Sequence, residues 1–149
     1  MKAALERWLL ARWYGARTPG FVLRALAAFY GAVVALRSAF YARGWLASEK
    51  LPVPVVVIGN FTAGGTGKTP LVIALAAHFV GKGFKPGVVS RGHGRRSRGP
   101  LRVTADMPAS ECGDEPLLVA RRTGVPVQVD SDRVRAAKAL IDAGCNLII

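Results

Sequence analysis

The sequence predicts an α/β fold, a parallel sheet flanked by helices and preceded by N-terminal hydrophobic helices. Three observations lead there. The β-branched run Val53 to Ile58 passes almost directly into the glycine-rich stretch Thr62-Ala63-Gly64-Gly65-Thr66-Gly67-Lys68-Thr69, with Pro70 opening a helix pattern. Beyond it, short apolar runs alternate with helix-patterned segments, as βαβ units require. Ahead of it lies a different texture, apolar residues at helical spacing among arginines. Three regions follow: 1–47 as membrane-associating helices, 48–54 as a linker with prolines at 52 and 54, and 55–149 as the core.

In the N-terminal region, Leu5, Trp8, Leu9 and Trp13 share one helical face, and Gly15 to Gly20 breaks the pattern. A second helix covers Phe21 to Tyr41, where Phe21, Ala25, Phe29, Ala32, Val33, Leu36 and Phe40 form a stripe. Its longest uncharged run, Ala25 to Leu36, has 12 residues between Arg24 and Arg37. That is short of the ~20 that cross a bilayer. Two compatible readings follow, helices packed on the next domain and a monotopic anchor with Trp8, Trp13 and Trp45 in the headgroup zone.

In the core, Val53 to Ile58 reads as a strand buried on both faces. Leu71 to Val80 is a helix ending at Gly81-Lys82-Gly83; Gly87 to Ser90 and Leu101 to Thr104 are strands. Glu115 to Arg122 is a helix, and Val125 to Val129 a strand. Asp130-Ser131-Asp132 supplies cap residues for a helix through Ala143, which Gly144 closes. Leu147 to Ile149 begins another strand, where the sequence stops. Such a sheet places an acidic residue at the tip of a second central strand to hold Mg²⁺. The expectation is therefore that this is part of a longer chain.

Charge narrows the partners. The 149 residues carry 21 Lys and Arg against 9 acids, a net +12. Residues 1–50 hold eight basic and two acidic groups, and residues 51–149 thirteen and seven. Both parts favour anions: phosphates, or an anionic membrane surface. Nucleic acid is disfavoured, because no recognition motif or base-stacking pattern accompanies the arginines. Cys112 and Cys145 have neither metal-ligand spacing nor the density of a disulfide scaffold. Met1 to Arg12 does not resemble a signal peptide.

The glycine-rich stretch explains the preference for phosphate. Glycines 64, 65 and 67 let the backbone curl so that its N–H groups point inward, and the following helix start adds its positive dipole end. The pattern is G-x-x-x-x-G-K-[ST] with Thr62 in place of the first glycine, so the fold is P-loop NTPase-like. Lys68 would reach the β- and γ-phosphates of a nucleotide, and Thr69 would place its hydroxyl on Mg²⁺.

Three stretches together, Val57 to Pro70, Gly87-Val88-Val89-Ser90-Arg91-Gly92-His93-Gly94 and Cys112-Gly113-Asp114-Glu115-Pro116, resemble one family, the tetraacyldisaccharide 4′-kinases of Gram-negative bacteria. The resemblance covers essentially the whole chain. It implies transfer of the ATP γ-phosphoryl group to the 4′-hydroxyl of a lipid A disaccharide precursor, at the cytoplasmic face of the inner membrane. Thr62 to Thr69 would hold ATP and Mg²⁺, with Lys68 neutralising charge. Asp114 matches the family's acidic position facing the sugar hydroxyl, with Glu115 beside it; its alternative is the N-cap of the next helix. Arg91, just beyond a strand, would hold a phosphate of either substrate, and Arg95, Arg96, Arg98 and Arg102 would extend that surface or form a solvated loop. His93 stands where the family commonly has tyrosine, and His78 reads as structural. Arg133, directly after the cap, is either a substrate contact or a helix-surface residue. The competing function is a nucleotide switch of the partition or metallochaperone type, without lipid kinase activity.

Overall fold

The computed structural model describes residues 20–46, 48–59, 67–96 and 99–149. The chain divides into two compact units, Met1–Ser48 and Glu49–Ile149. The expected helix around Leu5 to Trp13 and most of the glycine-rich loop lie outside the described residues.

In the first unit the described residues form one helix, α1 (Phe21–Ala42), with no buried residue. Phe21, Leu26, Phe29, Tyr30, Val33 and Leu36 are all exposed. Its 22 residues have a mean hydropathy of 1.5, long and apolar enough to cross a membrane by length and composition. The expected stripe therefore widens into a helix that is apolar nearly all round, with Arg24 and Arg37 inside its length. Beyond it the chain folds back: Trp45 N–H donates to Phe40 O at 2.9 Å, and the two rings lie 5.2 Å apart.

The second unit contains α2 (Lys68–Gly81), β1 (Pro86–Ser90), β2 (Leu101–Val103), α3 (Ala109–Cys112), α4 (Asp114–Thr123), β3 (Val127–Val129), α5 (Arg133–Asp142) and β4 (Leu147–Ile148). The sheet order is β2-β3-β1-β4. β1 is parallel to β3, with Val88 opposite Val127, and parallel to β4, with Pro86 opposite Leu147. β2 runs antiparallel to β3, with Arg102 opposite Gln128, so the sheet is mixed rather than wholly parallel. The cause is the connection: the described residues between 91 and 100 contain no helix that could carry the chain back to the amino edge, which a parallel strand requires.

The run Val53 to Ile58 departs from expectation. It makes one parallel bridge, Val55 to Ile148, with Val56 N–H donating to Ile148 O at 2.8 Å and Ile148 N–H to Pro54 O at 3.0 Å. Val55 is 49% and Val57 85% exposed, so the run is not buried on both faces. Among the described residues it has a sheet neighbour on one side only, and a strand so placed leaves half its side chains and one line of backbone groups uncovered.

Alternation along the strands sorts the core. Val88, Val127, Val129, Leu147 and Ile149 face Ala76 of α2 and Leu117, Val119 and Ala120 of α4. Ile148 and Val89 face Ala137 and Leu140 of α5, where Leu51 and Val53 also pack. Residues 49–54, expected as a linker, thus belong to the core unit, and Glu49 forms an ion pair with Lys138. Gly87 permits the close approach of α5: a Cβ there would lie 3.0 Å from both Leu140 Cδ1 and Cys145 Sγ.

Candidate functional site

A helix that returns the chain to the amino edge before a parallel strand must begin at the carboxyl edge, where α/β sheets bind ligands. Here α2 precedes β1, α4 precedes β3 and α5 precedes β4, so all three helices start on that edge. Sequence and topology converge on one place.

At the start of α2, Gly67 is the cap residue in a left-handed conformation (φ 76°), and no side chain caps the helix. Leu71 N–H bonds to Gly67 O at 3.2 Å, the first rung of a helix whose start offers an anion the positive end of the dipole. Lys68 and Thr69 are partly buried in this first turn. The other residues assigned to nucleotide binding, Thr62, Ala63, Gly64, Gly65 and Thr66, lie outside the described residues.

The loop after β1 brings the next group. Gly92 N–H donates to Ser90 Oγ at 3.3 Å, and Arg95 N–H to Gly92 O at 3.3 Å. This tight return needs glycine: Gly92 has φ +65°, and a Cβ there would lie 2.2 Å from Val129 Cγ1. The loop then passes the start of α4, since a Cβ on Gly113 would lie 3.3 Å from His93 O and 3.6 Å from Gly92 Cα. Arg91 and Asp114 are therefore carried by two backbone segments in contact. Asp114 is the first residue of α4, not its cap; Gly113 is the cap and no side chain caps this helix. The capping alternative for Asp114 is thereby removed. Asp114, Glu115 and Arg91 are exposed at the edge. Helices α2 and α4 pack side by side, so their two starts share one region.

The arginine run divides. Arg91, Arg96 and Arg102 are exposed. Arg95 turns inward, its Nη2 donating to Gly99 O at 2.7 Å, and its buried Nη1 has no partner among the described residues. Arg96 N–H donates to Ser110 O at 2.9 Å, which ties the loop to α3. Arg98 lies outside the described residues. His78 and His93 are exposed, and the His78 ring stands edge-on to Phe79 at 5.7 Å. Cys112 and Cys145 are free buried thiols, both pushed above the usual thiol range by burial.

Asp130 is the residue whose role was not legible. Of the expected cap residues, Asp132 does the capping, its Oδ1 accepting from Val134 N–H at 3.0 Å and Arg135 N–H at 3.1 Å. Asp130 at the tip of β3 is instead wholly buried. Its Oδ2 accepts from Arg135 Nε at 2.7 Å, while Oδ1 accepts from Arg135 Nη2 at 2.8 Å and Asp132 N–H at 3.0 Å. The Arg135 guanidinium above all, with the Asp132 N–H, holds the carboxyl down at about 2 against the opposing effect of burial. The spacing Asp-x-x-x-x-Arg across a helix start was the available signal. A cavity of about 620 Å³ lies against the first turn of α5, lined by Arg133 and Val134 together with Val55, Val57, Val89 and Ile148.

Comparison with known proteins agrees with this geometry. The family model described as LpxK, tetraacyldisaccharide-1-P 4′-kinase, matches residues 20–149. A tetraacyldisaccharide 4′-kinase of Stenotrophomonas maltophilia is 55% identical over 138 residues, covering 92% of this chain and 41% of the relative. One from Xanthomonas oryzae pv. oryzae is 53% identical over 146 residues, covering 91% and 42%. The chain thus spans about two-fifths of the length of these curated relatives. A crystal structure of LpxK from Aquifex aeolicus in complex with ATP superposes with a TM-score of 0.72 at 32% identity, over 86% of this chain and 42% of that one. With the motifs, the fold and a family match over most of its length, the chain belongs to the tetraacyldisaccharide-1-P 4′-kinase family.

Proposed function

We propose that this chain carries the nucleotide side of a lipid kinase. The reaction moves the γ-phosphoryl group of ATP to the 4′-hydroxyl of tetraacyldisaccharide 1-phosphate, a step of lipid A biosynthesis. The observation that supports it best is the convergence of the α2 start, Arg91 and Asp114 on one sheet edge, in a chain of this family.

Phosphoryl transfer asks a protein mainly for positioning and charge neutralisation. The first turn of α2 and the glycine-rich loop would hold the phosphates, and Lys68 would oppose the charge that develops on them. Mg²⁺ would be held by the Thr69 hydroxyl, an oxygen donor of the type it prefers, and would supply positive charge against the phosphates. It commonly takes few protein ligands and keeps several waters. Among the described residues Thr69 offers the hydroxyl for that use. Asp114 would accept the proton of the attacking hydroxyl, which its exposed position on the edge allows. Glu115 would orient the acceptor, and Arg91 would bind a phosphate of the acceptor.

We also propose that residues 1–47 bring the site to the anionic inner-membrane surface. A helix of 22 residues with no buried side chain has its apolar surface available for lipid. Arg24 and Arg37 within it favour a helix lying in the interface, where guanidinium groups meet lipid phosphates.

The test is transfer of ³²P from labelled ATP to the tetraacylated disaccharide 1-phosphate, using the protein as its gene encodes it. Lys68→Ala should reduce transfer by about two orders of magnitude or more, as expected for removing a charge contact used in the transition state. Undiminished transfer by that variant would remove the phosphate-loop role. Nucleotide hydrolysis with nucleotide-dependent self-association, and no lipid phosphorylation, would instead favour a nucleotide switch.

A further inference from the structure

Asp130 ties together three pieces of the carboxyl edge. Its own N–H donates to Ser90 O at 3.0 Å, holding the tip of β1 immediately before Arg91. Its carboxylate grips Arg135 on α5 through two hydrogen bonds, and the Asp132 N–H closes the turn between them. Ser131 Oγ adds a longer contact at 3.4 Å. The carboxylate is fully covered, whereas the Arg135 side chain is 54% exposed, so the aspartate is the anchored member of the pair.

A buried ion pair is weak evidence for stability, because apolar residues of similar volume often serve as well or better. What such a pair supplies is a defined geometry. Here the geometry fixes Ser90-Arg91 on one side and the first turn of α5, with Arg133 facing the cavity, on the other. Strand positions indicate which substrate this serves. Neighbouring strands lie about 4.8 Å apart, so the tip of β3 stands three spacings, about 14 Å, from the run at Val55 that leads into the phosphate loop. The tip of β1 stands about 10 Å from it by the same spacing. Both tips are thus set off laterally from the run that leads into the phosphate loop, which leaves them to a substrate that approaches from beside the nucleotide.

We infer that Asp130, through Arg135 and the Ser90 carbonyl, is a positioning residue for the acceptor and not for the nucleotide. It holds Arg91 and Arg133 at a set separation, so that they meet the acceptor's phosphate and sugar together. The inference rests on the kinase reading above and adds to it a division of labour along the sheet edge.

The experiment is a set of variants of the protein as its gene encodes it: Asp130→Asn, Arg135→Lys, and the double variant Asp130→Asn with Arg135→Met. Thermal midpoint, kcat, KM for ATP and KM for the lipid acceptor are measured for each. The double variant removes both charges, so it should recover most of the midpoint lost by Asp130→Asn, which strands one charge. In the double variant the acceptor KM should still rise about tenfold or more, with the ATP KM unchanged within about twofold, since small misplacement of binding groups suffices for such losses. Arg135→Lys keeps the charge without the two-pronged grip and should fall between. A folded double variant with wild-type acceptor KM overturns the inference, and so does an equal rise in both KM values. Failure of the unmodified protein to phosphorylate the lipid overturns the kinase reading itself, and the positioning role with it.

Discussion

Gly92→Ala tests whether the loop between Arg91 and the Asp114 turn is held as tightly as its geometry indicates. Two costs add. The residue has φ +65°, a conformation that costs a side chain about 1–2 kcal/mol. The new Cβ would also lie 2.2 Å from Val129 Cγ1 and 2.7 Å from Arg95 Cδ. Carbon atoms prefer ~3.5–4.0 Å, so one partner must move by at least about 1.3 Å. Val129 is wholly buried in β3 and has no room to move, which leaves the loop to shift. Overpacking of this kind costs about 1–3 kcal/mol, for a total of about 2–5 kcal/mol. Gly94→Ala is the control, because Gly94 has φ +81° but open space around it. It should lose only the conformational part, about 1–2 kcal/mol. Urea unfolding of both variants reads the difference, and thermal melting should separate them by several degrees, at ~4–8 °C per kcal/mol for a unit of this size. A loop displaced by an ångström should also slow phosphoryl transfer about 100-fold. Equal destabilisation by the two alanines would refute the claim that Gly92 is packed against β3.

Other expectations follow from the same contacts. Leu140→Ala, at a fully buried site between α5 and Gly87, should cost about 2–5 kcal/mol in urea unfolding while leaving the ATP KM near wild type. Asp130 titrates at about 2 in the folded chain, below the ~3.9 of an unfolded aspartate. A depressed carboxyl contributes stability above about pH 4 and loses it as pH falls toward about 2, so acid unfolding of Asp130→Asn should show a shallower dependence over that window. Removal of residues 1–47 should abolish most sedimentation with phosphatidylglycerol vesicles, and the intact chain should bind neutral vesicles more weakly. Equal sedimentation of the shortened chain would place membrane binding elsewhere.

Much of the core was legible in order. The alternation of β-branched runs with helix patterns located α2, β1, β2, α4, β3, α5 and β4 within a few residues, because burial on a sheet and on a helix imposes different periods. Gly67-Lys68-Thr69 announced one helix start, and Gly113-Asp114-Glu115 announced another. Three features escaped. Val53 to Ile58 reads as an interior strand from composition, yet pairing depends on what lies beside it, and among the described residues only β4 does. The direction of β2 depends on the path of residues 91–100, which carries no periodic signal. Asp130 looked like one of three interchangeable cap residues, and only the distance to Arg135 separates an ion pair from a cap.

The sequence by itself determined the chemistry on offer: a phosphate loop with Lys68 and Thr69, an acidic residue at 114, an arginine at 91, and an apolar, basic N-terminal helix. These are properties of residue type and spacing along the chain. The tertiary structure alone decided that His93 and Gly113 touch, that Asp114 leads its helix uncapped, that Arg95 turns inward while Arg91 stays exposed, and that Asp130 joins β1, β3 and α5. Those facts are contacts between segments distant in sequence, set by sheet order and by which glycines let backbones approach, and no local pattern encodes them.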